Sequence, residues 1–104
     1  MKEENEFEKR LLKTVDKELK RIFGEVATSL IYSYLEDNLS LKQEDIPKQI
    51  EVFSKGLDSF LSSGAKVVEK VTLENLYLSF GFEFKAKEGF SFVDYVNELK
   101  KRVG

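Results

Sequence analysis

The sequence predicts an all-α fold: one domain over 1–104, packed as a compact bundle of about five helices. Three observations carry that expectation. Apolar residues recur at helical spacing along most of the chain. Only one Pro and six Gly interrupt 104 residues, so few positions force the backbone out of a helix. Finally, 41% hydrophobic residues against 35% charged ones suit a chain that folds without disulfides, hiding roughly two-thirds of its unfolded surface.

The first helix is the clearest. Phe7, Leu11, Val15, Leu19 and Ile22 fall on one arc, widened by Leu12 and Phe23. Lys9, Arg10, Lys13, Lys17, Lys20 and Arg21 fall on the opposite arc. Glu6→Arg10 and Asp16→Lys20 have the favourable i,i+4 orientation, worth a few tenths of a kcal/mol each. Gly24 marks a bend or a boundary. A second helix then runs to about Asn38 on a stripe of Val26, Ala27, Leu30, Ile31, Tyr34 and Leu35, with Asn38 suited to close it.

Ser40 to Gln43 has capping-box spacing and can open a short helical turn. Pro47 disfavours helical geometry at Ile46, so an extended residue is expected there, and Pro47 itself suits the first turn of the next helix. That helix carries Ile50, Phe53, Leu57, Phe60 and Leu61. Gly56 inside it is read as tolerated, the alternative being close approach of a neighbouring backbone. Ser62-Ser63-Gly64 breaks the chain again.

From Ala65 to Phe80 the apolar residues change face: Val67, Val68 and Val71, then Leu73, Leu76, Tyr77 and Phe80. A helix apolar on several sides belongs at the centre of a bundle, and Gly81 ends it. Residues 82–86 and 90–92 alternate with period two around a possible turn, a hairpin signature. Against it, Ser91-x-x-Asp94 can cap a last helix bearing Phe92, Val96, Leu99 and Val103, with Lys100, Lys101 and Arg102 at its negative end. The expectation is a helix from about Ser91, preceded by a short extended or hairpin element near 82–90.

Chemistry is bounded by what is missing. There is no His and no Cys, which removes imidazole-assisted nucleophiles, zinc fingers, thiol redox and most haem or copper sites. No Gly-rich phosphate loop or calcium-loop pattern occurs. Carboxylates remain as acid–base candidates, but in Glu36-Asp37 and Glu44-Asp45 sequence neighbours diverge by about 100° on a helix, and nothing marks them as desolvated. No catalytic residue, cofactor or metal ligand is therefore expected, and no enzyme activity. The acidic start Met1–Glu6 lacks an apolar leader, and no apolar run reaches the length of a membrane span, so a cytoplasmic location with no membrane contact is expected.

Net charge is −2 but uneven: residues 1–23 sum to +1, 24–64 to −4 and 65–104 to +1. A phosphate-gripping protein usually shows a basic surplus, which disfavours nucleic acid as partner. Two features remain as candidate interaction surfaces. One is the basic arc of the first helix, read either as a solvated face or as a dock for an acidic partner. The other is Phe82, Phe84, Phe90 and Phe92, which either close the core or expose an apolar patch. Phe82 and Phe84 share a side, so they enter the core together or face a partner together.

The motifs Ile31-Tyr32-x-x-Leu35-Glu36, Glu44-Asp45-Ile46-Pro47, Gly64-Ala65-Lys66-Val67-Val68-Glu69-Lys70 and Leu76-Tyr77, with Phe53 and Phe60 at matching apolar spacing, resemble those of small archaeal helical domains. These domains are described as the Nitrosopumilus-type output domain family. The resemblance runs from the second helix to Gly81 and leaves the first helix outside it. It implies a helical signalling or interaction domain and transfers no active site. The expected function is thus a non-enzymatic protein–protein interaction or signalling-output module that self-associates, as a homodimer. The alternative is a nucleic-acid-associated regulator using the basic face of the first helix.

Overall fold

A computed structural model describes residues 6–104; the acidic stretch Met1–Asn5, part of the segment read above for a leader, lies outside the described residues. Helix α1 (Glu6–Leu39) contains a single residue with non-helical dihedrals, Gly24, at φ 85° and ψ 172°. That region is essentially open to glycine alone, and it divides α1 into arms 6–23 and 25–39. The arms fold back towards each other. Tyr32 donates a 2.8 Å hydrogen bond to Asp16 Oδ1, two residues equally distant from the bend. Thr28 Oγ1 donates to the Gly24 carbonyl at 2.7 Å, so the hydroxyl is satisfied and Thr28 is buried at low cost.

The first arm buries Phe7, Leu11, Val15 and Leu19, as the periodicity predicts, and Glu6–Arg10 and Asp16–Lys20 pair at 2.7 and 3.0 Å. The second arm is rotated from its expected stripe. It buries Thr28, Ile31 and Leu35, whereas Val26 and Leu30 remain 79% and 59% exposed. The bend resets the helical phase, so the stripe of one arm does not set the facing of the next. Asn38 does not close the helix; its side chain donates to the Tyr34 carbonyl. Ser40 does so at φ 53°, letting its amide reach Glu36 O and the Leu41 amide reach Leu35 O.

No capping box forms at Ser40. Gln43–Lys48 is a 3₁₀ turn, η1, whose preceding residue Lys42 makes no side-chain cap. Ile46 is therefore inside a turn rather than extended, and Pro47 lies within that turn rather than opening the next helix. Proline lacks an N–H, but the Gln49 amide takes up both the Asp45 and Ile46 carbonyls. Complete burial of Ile46 offsets the conformational restriction before proline.

Helix α2 (Ile50–Leu61) buries Ile50, Phe53 and Leu57 and sets Phe60 against Tyr34, ring centroids 4.8 Å apart. Gly56 marks a close approach, not mere tolerance, and the approaching atoms are side chains of α1. A Cβ there would lie 2.3 Å from Leu35 Cδ2 and 2.8 Å from Leu39 Cδ1. Gly56→Ala gains about 1 kcal/mol of helix propensity but forces a fully buried Leu35 aside, at about 1–3 kcal/mol. A net loss of about 1 kcal/mol is expected in a urea titration. A gain would mean that Leu35 has room to turn away.

Ser62, at φ 52°, ends α2, and α3 (Gly64–Ser79) follows at once. It buries Ala65, Val68, Glu69, Thr72, Leu73, Leu76 and Tyr77 and packs on α1, α2 and α4, the central position expected. Two of its apolar residues, Val67 and Leu78, nevertheless face solvent. Gly81, at φ 86°, stops the helix region as predicted.

Residues 82–87 form no ladder, and the described residues contain no strand, so the hairpin alternative drops out. Side chains satisfy this segment instead. Phe84 lies edge-on to Tyr77 and Tyr95, and the Tyr95 hydroxyl accepts from the Lys87 amide at 2.6 Å while donating to the Lys87 carbonyl at 3.0 Å. Lys87 also pairs with Glu98. Helix α4 (Phe92–Val103) opens with the expected capping box: Ser91 Oγ accepts from Asp94 N at 3.1 Å and Asp94 Oδ2 from Ser91 N at 3.0 Å. Tyr95→Phe is expected to cost about 1–2 kcal/mol, leaving the Lys87 amide unpaired. Hydrogen exchange at Lys87 should rise by more than at residues 92–99; uniform protection would assign the loop's order to Phe84 alone.

One core cluster draws on every helix and on η1, and the radius of gyration, 13.1 Å, matches the roughly 13 Å of a single folded unit this long.

Candidate functional site

The basic arc divides in two. Arg10 turns inward: Nη1 donates to the Ser79 carbonyl at 2.7 Å, Nη2 to Glu6, and the guanidinium lies 4.1 Å from the Phe80 centroid. Lys20 pairs with Asp16. Arg21 donates through Nε and Nη2 to Oε1 of the buried Glu18, whose Oε2 accepts from Asn75 of α3. Arg10 thus ties α1 to the end of α3, while Lys20 and Arg21 are held in pairs within α1. Lys9, Lys13 and Lys17 are exposed and make no ion pair among the described residues. They follow one another at i,i+4 along an open groove of about 600 Å³ between the first arm and α3, with Thr14, Asn75 and Ser79 also lining it.

The phenylalanines of the tail mostly close the core. Phe92 is buried against Phe53, and Phe82 and Phe84 are half-buried together. Arg102 covers Phe82 at 4.3 Å. Phe90 is exposed and leans on Tyr95, with Lys87 above its ring. Only Phe90 of the four therefore offers appreciable apolar surface. The large uncovered apolar residues that periodicity assigned to the interior are instead Val26, Leu30, Phe60 and Val67.

Glu36, Asp37 and Glu44 are solvated, as expected, and Asp45 is half-buried in η1. The sequence reading missed three buried acids, Glu8, Glu18 and Glu69. Glu69 is 9% exposed and accepts a 2.8 Å hydrogen bond from Ser54 Oγ on Oε2. Burial pushes its carboxyl above the usual range; the Ser54 hydrogen bond and Lys66 oppose this, and Asp58 adds to it. Folding thus eases protonation of Glu69 relative to the unfolded chain. This carboxyl costs no stability below the ordinary carboxylate range and progressively more as pH rises through its raised pKa. A sequence signal existed: Glu69 falls among Ala65, Val68, Thr72 and Leu76 on the inward face of α3, where an acid is out of place.

Glu69 floors a cleft of about 320 Å³ walled by Leu73, Phe84, Phe90, Phe92 and Tyr95, with Asp58, Lys66 and Lys70 also lining it. Among the described residues no group of three acids could gather a metal ion, and no helix is long and apolar enough to cross a membrane. Compared with protein-family models, with curated proteins and with solved structures, the chain matches none.

Proposed function

We propose that the chain is a non-enzymatic interaction module that pairs with a second copy of itself, serving as a signalling output. The observation that carries this reading is the outward pair Val26 and Leu30, one helical turn apart on the second arm, at 79% and 59% exposure. Uncovered apolar residues side by side mark association surfaces more often than scattered ones do. Charge segregation supports a like partner. Lys9, Lys13 and Lys17 stand without ion-pair partners among the described residues on the first arm, while residues 24–64 hold a net −4, with Glu25, Glu36 and Asp37 exposed on the second arm. A two-fold arrangement lets each copy offer both halves of that complementarity. The output role rests on the family resemblance of residues 31–36, 44–47, 64–70 and 76–77.

Sedimentation across a wide concentration range tests the pairing. The wild-type chain is expected to dimerise, and Val26→Asp with Leu30→Asp to leave a folded monomer, since neither side chain supports the core. A wild-type chain that is monomeric throughout would overturn this reading.

A second reading has its own observation, the row of Lys9, Lys13 and Lys17 along an open groove, which suits a phosphate backbone. Net charge −2 weighs against it. Duplex DNA titrated at low salt decides: phosphate contacts weaken steeply with added salt, and absence of binding at low salt ends this alternative.

A further inference from the structure

The cleft floored by Glu69 lies between α2, α3 and α4, apart from the second arm of α1 on which the pairing rests. Five apolar or aromatic side chains, Leu73, Phe84, Phe90, Phe92 and Tyr95, form its walls, and its volume of about 320 Å³ suits a small molecule. Glu69 Oε2 is taken by Ser54, but Oε1 accepts no hydrogen bond among the described residues and is not sealed from solvent. A carboxylate so placed keeps one oxygen free for a second donor, and aromatic side chains lining the same cleft favour a cation there. Lys66 and Lys70, i,i+4 on the same helix, are exposed and make no ion pair among the described residues, so they can take an anion at the rim. Two acids, Asp58 and Glu69, and two bases therefore balance across the lining, with the buried member of the set negative and the exposed lysines positive.

We propose that this cleft binds a free amino acid with an aromatic side chain, its ammonium on Glu69, its carboxylate between Lys66 and Lys70, and its ring among Phe84, Phe90 and Tyr95. The ammonium supplies the donor that Oε1 lacks, and the carboxylate offsets the two lysines. A ligand with only one of these charges leaves either Glu69 or the two lysines uncompensated. The ring completes the contact by covering the exposed Phe90 and the half-buried Phe84.

Amide chemical-shift titration of the full chain with L-phenylalanine, 2-phenylethylamine and 3-phenylpropionate tests this. L-Phenylalanine is expected to shift residues 66–73 and 84–95 and to bind roughly 10-fold more tightly than either single-charge analogue. Glu69→Gln, nearly isosteric and relieved of a buried charge, should weaken L-phenylalanine and 2-phenylethylamine by roughly 10-fold and leave 3-phenylpropionate unchanged. Lys66→Ala with Lys70→Ala should weaken L-phenylalanine and 3-phenylpropionate and spare the amine. Equal binding of all three ligands to the wild-type chain, no shift with L-phenylalanine at tens of millimolar, or indifference to Glu69→Gln would each overturn the assignment. Because Val26→Asp with Leu30→Asp leaves the cleft intact, the monomeric variant should bind L-phenylalanine as the wild type does, which separates this site from the proposed pairing.

Discussion

Leu76→Ala is expected to destabilise the fold by about 2–5 kcal/mol, read as a lowered urea midpoint with an unchanged slope. Leu76 is fully buried on α3, the helix that touches α1, α2 and α4, so its side chain is surrounded rather than lying against one neighbour. Deleting three carbons there forfeits the transfer energy and leaves a cavity. The walls are helices already held elsewhere, by Tyr77 to the Tyr95 carbonyl at 2.8 Å and by Asn75 to Glu18 at 3.0 Å, so they cannot simply collapse inward. A loss below about 1 kcal/mol would mean that α3 is peripheral.

Gly24→Ala should cost about 1–3 kcal/mol for a reason unrelated to packing. Nothing lies within 4 Å of a Cβ added at Gly24, so no clash arises. The penalty comes from φ 85° and ψ 172°, a conformation that any side chain resists. Alanine also favours continuing the helix, and a straight α1 would carry Asp16 and Tyr32 apart and pull Ile31 and Leu35 from the core. Denaturant titration beside a Tyr32→Phe variant distinguishes the terms, since Tyr32→Phe removes only the bond between the arms. A change under about 0.5 kcal/mol for Gly24→Ala would show that the bend is not under backbone strain.

Signals confined to a few neighbouring residues were legible in the sequence. Phe7, Leu11, Val15 and Leu19 repeat on one face, Gly24 and Gly81 interrupt, and Ser91 with Asp94 opens α4, all as the structure has them. Each is a property of one turn of backbone and needs nothing from the rest of the fold. The misreadings share a different cause. Val26 and Leu30 matched a helical stripe as well as Ile31 and Leu35 do, yet they face outward, because the dihedrals of Gly24 choose which side of the second arm meets η1 and α2. Ile46 before Pro47 reads as extended until complete burial rewards a 3₁₀ turn. Period-two alternation at 82–86 is real, but Tyr95 and Tyr77 supply the partners that a second strand would have supplied.

The candidate surfaces divide in the same way. A row of lysines along the first arm follows from their spacing, but Arg10, Lys20 and Arg21 belong to the same predicted arc and are taken up by Ser79, Asp16 and Glu18. Glu69 falls on the inward stripe of α3 in the chain order, but only α2, by placing Ser54 against it, makes it a cleft carboxyl.

Helical class, element order, the Ser91–Asp94 cap and the exclusion of imidazole and thiol chemistry were thus inherent in composition and short-range periodicity, since these depend on residue type and turn geometry. Which apolar residues stay outside, which cations remain unpaired and which acid is desolvated emerged from assembly, since each depends on what a distant segment brings within a few ångströms.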